Sequence, residues 1–413
     1  MFHENLLSSR LRAMTESVTL SLNSKVVKLA EEGEKVYNLT AGQLPFKPDL
    51  VFIEELRKQT NFLKSYQYSP VAGFEETKKK FVDHVYQHRK LQTYPKENLH
   101  CCISTGAKQA IFNAFAALIN PGDEVILLAP FWLSYSEMVK VWEGQPIIVK
   151  SDLSMKFEPL IEDIERVIGP QTKMIVLNSP NNPTGIHYCA KWMKDFAQML
   201  LKYPQIIVLS DEIYSEIYYY DPKPQFFYQF DESLLERTLI IDGLSKSFAS
   251  TGLRIGYVLG NQTIINAINK IQGQSTSGAN SLIQRAIMDY PLERLHEFLT
   301  PIKQHLGLNA STLKKILLEN GLSHLWYQTY SAFYFIFDLS KTRLANKIPA
   351  GEDQAAFLCE EILHQVKVAM VPTSDFGFPN GARISLVAET DIFAEAITKL
   401  VGYLVADNSS VFS

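Results

Sequence analysis

Short apolar runs alternate with amphipathic stretches from about residue 100 to 260. Residues 101–104, 124–128, 174–178, 206–210 and 238–242 are runs too short for a helix and apolar without alternation. That pattern predicts strands buried on both faces. The segments between them, such as 107–119 and 191–202, space their apolar residues as one face of a helix does. Strand and helix in regular alternation predict an α/β fold with a mostly parallel sheet covered by helices on both sides.

The two ends of the chain read differently. Residues 10–35 and 293–320 carry helical spacing. Residues 331–339, 366–371 and 383–387 read as strands, and a last helix is expected at 394–403. The expectation is a large domain over 50–295 and a smaller α+β domain formed by 1–49 and 296–413.

Composition narrows the class. A chain of 413 residues with 46% hydrophobic and 20% charged residues buries a large core without covalent staples. The formal net charge of -4 argues against a nucleic-acid partner, whose binders carry a basic excess. The cysteines, Cys101, Cys102, Cys189 and Cys359, form neither a disulfide framework nor a zinc-ligand spacing. They predict a reducing compartment, the cytoplasm. The first twelve residues lack the features of a signal peptide, and no run has the length of a membrane span. No membrane partner is expected.

The polar residues that matter fall where predicted strands end, which is where open α/β sheets bind ligands. Ser104-Thr105-Gly106-Ala107-Lys108-Gln109 opens a helix with small residues, so backbone N–H groups can approach an anion. Asn178-Ser179-Pro180-Asn181-Asn182-Pro183-Thr184-Gly185 is a dense polar turn after an apolar strand. Ser210-Asp211-Glu212-Ile213-Tyr214 puts a carboxylate at the end of a buried strand, where it needs a partner. Ser245-Lys246-Ser247 follows the last strand, and Arg254 lies eight residues on. Each feature alone is ordinary turn or surface chemistry.

Together, in this order, the strings SPNNPTG (179–185), SDEIY (210–214) and SKSFASTGLRIGY (245–257) resemble the class I aminotransferases, which are fold type I pyridoxal-phosphate enzymes. The resemblance runs from about Leu11 to Leu400 and is nearest to bacterial aspartate aminotransferases. It implies a seven-stranded sheet and pyridoxal 5'-phosphate as cofactor. Lys246 would bond the cofactor aldehyde and act as acid and base. Asp211 would pair with the ring nitrogen. Tyr214 and Asn182 would bond the ring's phenolic oxygen, and Trp132 would stack on the ring. Arg254, Ser245 and the backbone of Gly106, Ala107 and Lys108 would hold the phosphate. Tyr68 would reach the phosphate of a second subunit, which implies a homodimer with shared active sites. Arg383, with Asn182 and the Gly42 backbone, would bind the substrate carboxylate.

Two departures stand out. Gly243 replaces the family's serine three residues before the lysine. Gln43-Leu44-Pro45-Phe46 replaces the usual Pro-Asp-Phe after Gly42. Lys108 and Thr19 match the distal-carboxylate pocket of one aspartate-specific subgroup. The substrates expected are therefore aspartate, as amino donor, and 2-oxoglutarate. Aromatic, alanine, methionine or prephenate-type substrates, or a carbon–sulfur lyase activity, are the alternatives.

Other classes fit less well. A nicotinamide dehydrogenase needs Gly-x-Gly-x-x-Gly, which Gly252, Gly256 and Gly260 do not form. Residues 243–246 lack the glycine spacing of a nucleotide phosphate loop. A ligand-sensing regulator on this fold would need a DNA-binding region for which the chain shows no room. His84 and His88, one turn apart on a predicted helix, have no third ligand in the sequence, so no metal is expected.

Overall fold

Seven strands form the main sheet: β2 (His100–Ser104), β3 (Glu124–Leu128), β4 (Gln145–Val149), β5 (Thr172–Asn178), β6 (Ile207–Asp211), β7 (Thr238–Gly243) and β8 (Gly256–Gly260). β1 (Tyr37–Asn38) belongs elsewhere. This computed structural model describes residues 8–12, 14, 26, 28, 31–347 and 353–405. Most of the helix expected at 10–35 lies outside the described residues.

The order across the sheet is β2-β8-β7-β6-β5-β3-β4. Only β8 runs against the rest, antiparallel to both neighbours. The expectation of a mostly parallel seven-stranded sheet between helices holds.

The apolar runs are continuous because both faces are covered. Along β3, Ile126 and Leu128 point into one core while Val125 and Leu127 point into another. Along β5, Ile175 and Leu177 alternate with Met174 and Val176 in the same way. Side chains on a strand alternate, so an uninterrupted apolar run means two buried faces. Helix Ala107–Leu118 covers one face with Ala110, Ile111, Ala114 and Phe115. Helix Ala190–Leu201 covers the other with Trp192, Met193, Phe196 and Leu200.

Two strands differ from the sequence reading because no run was assigned to them. β4 pairs only with β3 and is an edge strand, where Pro146 is tolerated. β8 is bounded by Gly256 and Gly260, which read as loop punctuation.

The C-terminal part of the chain builds a three-stranded antiparallel sheet, β11-β12-β9, from β9 (Tyr334–Asp338), β11 (Val371–Pro372) and β12 (Gly381–Ser385). β1 pairs in parallel with β10 (Val368–Ala369). The single strand expected at 366–371 is two short ones. Val366 ends a helix, and Lys367 turns the chain through a left-handed conformation at φ 58°. Long helix Arg294–Glu319 and last helix Thr390–Val405 pack on this part of the molecule. No described helix is long and apolar enough to cross a membrane.

Candidate active site

All the polar strand ends meet at one edge of the sheet. β2, β5, β6 and β7 end there at Ser104, Asn178, Asp211 and Gly243. The reversed strand β8 begins there at Gly256, which pairs with both Ser104 and Gly243. The reversal is what brings Arg254, just before β8, to the same edge as the strand ends.

This packing is close. A Cβ on Gly256 would lie 2.1 Å from the Ala107 nitrogen. A Cβ on Gly243 would lie 2.7 Å from the Gly256 Cα and from the Ile255 carbonyl oxygen. A serine at 243 has no room here without a backbone shift. Gly106 has φ +85°, and a Cβ there would meet the Arg254 guanidinium at 2.2 Å. The positive φ favours glycine at this turn, and a side chain there would displace the Arg254 guanidinium.

A cavity of about 770 Å³ opens over this edge. Its wall includes Ala107, Lys108, Trp132, Asn182, Asp211, Tyr214, Ser245, Lys246, Arg254, Arg383 and Gly42. Gly106 lies beneath Arg254. Tyr68 does not line the cavity and is 95% exposed. Thr19 lies outside the described residues.

Asp211 is 4% exposed. Tyr135 donates its hydroxyl to Oδ2 at 2.5 Å, and the Ile213 N–H donates to Oδ1 at 3.2 Å. Burial pushes the carboxyl up to about 6, against the pull of Tyr135, the Ile213 N–H and the Lys246 charge. Lys246 donates to the Gly42 carbonyl. Burial, then the charges of Arg383 and Arg254, push its amine down to about 8, with Asp211 opposing. An amine so depressed is a usable nucleophile and base near neutral pH.

Arg383, on β12, is 4% exposed. Nη1 donates to Asn182 Oδ1 at 3.0 Å and Nη2 to the Thr40 carbonyl at 3.1 Å. Its Nε is buried without a hydrogen-bond partner, and Tyr334 lies 4.5 Å from the guanidinium. Asn182 is itself fixed, because Asn178 Oδ1 accepts its N–H at 2.9 Å. Tyr214 and Tyr334 share a hydrogen bond of 3.1 Å. Lys108 lies over the Trp132 indole at 4.8 Å while staying open to solvent. Partial burial and the neighbouring Arg254 disfavour its charge.

Asn178, which opens the polar turn, also faces the cavity, as do Tyr135, Tyr334, Thr40 and Phe376, to which the sequence reading gave no role. Tyr135 could have been found, since it lies one helical turn from Trp132. Tyr334 could not, because it lies within an apolar strand.

The arrangement combines a buried acid, a depressed amine and three cations in one cavity, which suits an anionic ligand with a covalent anchor. Over residues 34–400 the chain matches the family "Aminotransferase class I and II". It is 32% identical to an aspartate/prephenate aminotransferase of Nitrosomonas europaea, with 96% of this chain and 99% of that protein covered. It is 32% identical to an aspartate aminotransferase of Bacillus subtilis, with 95% and 98% covered. Among solved structures, the Thermus thermophilus aspartate aminotransferase with maleate superposes at a TM-score of 0.86, with 29% identity and 96% and 98% covered.

Proposed function

The chain belongs to the class I and II aminotransferases, and we propose that it moves the amino group of aspartate to 2-oxoglutarate using pyridoxal 5'-phosphate held on Lys246. The observation that carries the reading is one cavity in which Lys246 feels the charges of Asp211, Arg254 and Arg383 together.

The residues present fit that cofactor. Gly106 and Gly256 let the start of the helix Ala107–Leu118 pack against β8, and Ala107, Ser245 and Arg254 line the cavity together. An arginine fork and a helix N-terminus suit a phosphate. Asp211, buried with a single side-chain donor, suits a ring nitrogen that must stay protonated. When bound, pyridoxal phosphate supplies an aldehyde that takes an amine and a ring that stores an electron pair.

The chain's own residues do the rest. Arg254, Ser245 and the backbone of Gly106, Ala107 and Lys108 would hold the phosphate. Asp211 would keep the ring nitrogen protonated, and Trp132 would stack on the ring. Tyr214 and Asn182 would bond its phenolic oxygen. Arg383, with Asn182 and the Gly42 backbone, orients the substrate carboxylate, and the free Arg383 Nε is an unused donor for it. Lys246 takes the Cα proton and returns it as general acid. In this reading the division into 50–295 and 1–49 with 296–413 separates most cofactor contacts from Gly42 and Arg383.

Lys108, assisted by Thr19, is the proposed contact for a second carboxylate. A cation with poor compensation selects an anion. The Thermus neighbour was solved with maleate, a dicarboxylate, which supports the same class of ligand. We read the protein as a homodimer. Tyr68 at 95%, Leu63 at 77% and Tyr66 at 66% exposure form a surface that a second copy would cover. All four cysteines are free, and three are buried, which suits the cytoplasm.

The test is a panel of amino acids added to the cofactor-loaded protein, followed by the loss of the aldehyde-form absorbance. Aspartate and glutamate should convert the cofactor fastest. Conversion by aromatic or sulfur amino acids with none by aspartate and glutamate would sink the substrate assignment.

A further inference from the structure

His84 and His88 lie one turn apart on helix Glu75–His88. The fold brings Glu216 to them from the segment after β6, two residues beyond Tyr214. One donor atom from each of the three lies within 4.8 Å of the others. The geometry points to a second site, outside the active-site cavity, that binds a zinc-class divalent cation through His84, His88 and Glu216.

The donor set is specific in kind. Two imidazoles and one carboxylate suit zinc and its transition-metal neighbours, whereas magnesium and calcium prefer oxygen alone. The distances are near those required. His84 Nε2 and Glu216 Oε1 are 3.6 Å apart. Ligands about 2.0–2.2 Å from a tetrahedral ion lie roughly 3.3–3.6 Å from one another. The remaining gap is left to a small adjustment of the His88 ring, which is exposed and lies 3.9 Å, centroid to centroid, from that of His84.

The surroundings also fit. His88 Nδ1 lies 3.0 Å from the His84 carbonyl oxygen. A ring nitrogen occupied by a backbone carbonyl leaves the other directed outward as a ligand, a common supporting contact at metal sites. The His84 and Glu216 side chains are only 11% and 16% exposed, so two donors are already held in place. Two cations, Arg89 and Lys303, interact with Glu216 through space but make their contacts elsewhere. Arg89 pairs with Glu212 at 3.0 Å, and Lys303 lies over the Tyr218 ring at 3.8 Å. Three protein ligands with one solvent-facing side leave the fourth position to water.

A cation there would tie the helix Glu75–His88 to the segment that carries Asp211 and Tyr214. The bond would be structural and would add to stability by mass action.

The experiment uses the cofactor-loaded protein after dialysis against a chelator. Titration with cobalt(II) should give visible d–d absorption, displaced by zinc at one equivalent per chain, and zinc should raise Tm. His88→Ala removes an exposed ligand and should fold as the parent does. It should weaken zinc binding by more than the roughly 10- to 100-fold that loss of a supporting contact costs. Cys189→Ser should bind as the parent does. Absence of uptake, or uptake unchanged in His88→Ala, would overturn the site.

Discussion

Tyr135 donates its hydroxyl to Asp211 Oδ2 across 2.5 Å, and it is the one side-chain hydrogen bond to that carboxylate among the described residues. The contact is what keeps a fully buried acid ionisable, because burial alone works against its charge.

Tyr135→Phe should therefore push the Asp211 pKa further up from about 6. The acid limb of kcat/KM should move to higher pH. A hydrogen bond to a charged group is worth about 1.5–3 kcal/mol, or about one to two pKa units, so kcat/KM at pH 7 should fall roughly 2- to 15-fold. An unmoved acid limb would show that this hydroxyl does not tune Asp211.

The Lys246 amine is depressed to about 8 by burial first and by Arg383 and Arg254 next. Only the unprotonated amine attacks an aldehyde. In cofactor-free protein, covalent capture of pyridoxal phosphate should rise about tenfold per pH unit below 8 and level off above it. Arg383→Met removes one depressing charge and should shift that plateau to higher pH. Lys246→Ala should lose transamination by roughly 10⁴-fold or more and take no borohydride label.

Asp211 also predicts a stability effect in the cofactor-free protein. Its folded pKa, about 6, is raised above the ordinary 3.8. The folded state therefore holds a proton that the unfolded state loses between those values. The penalty is absent below about pH 4, grows as pH rises and is complete above about 6. At about 1.4 kcal/mol per unit it reaches about 3 kcal/mol. Asp211→Asn should be up to that much more stable than the parent at pH 7 and equal at pH 3, by urea denaturation. Equal stability at both would mean that the carboxylate is solvated.

Lys108→Met separates the substrate readings. If Lys108 meets a distal carboxylate, kcat/KM for aspartate should fall roughly 10- to 100-fold, while a monocarboxylic amino acid loses little. A uniform loss would assign Lys108 to the cofactor phosphate alone.

The sheet was legible wherever a strand leaves an unbroken apolar run. β3, β5 and β6 are covered on both faces, so their apolar runs are unbroken. β4 carries Pro146 at an edge and β8 starts and ends in glycine, and neither leaves such a run. The strings around Asn182, Asp211 and Lys246 were legible because each ends a strand at the cavity and keeps its residue types together locally.

Local order along the chain determined the alternating strands and helices, the glycines that a tight turn requires, and the set of residues with chemistry to offer. Which of them meet was decided in three dimensions. Arg383 reaches Asn182 across 201 positions of sequence, Tyr135 reaches Asp211 across 76, and Glu216 reaches His84 through the packing of a loop on a helix. The reason is physical. Periodicity records only whether a side chain faces core or water. The pKa of Asp211 and Lys246, and the partners of Arg383, arise from burial and charges supplied by distant segments, which no local pattern encodes.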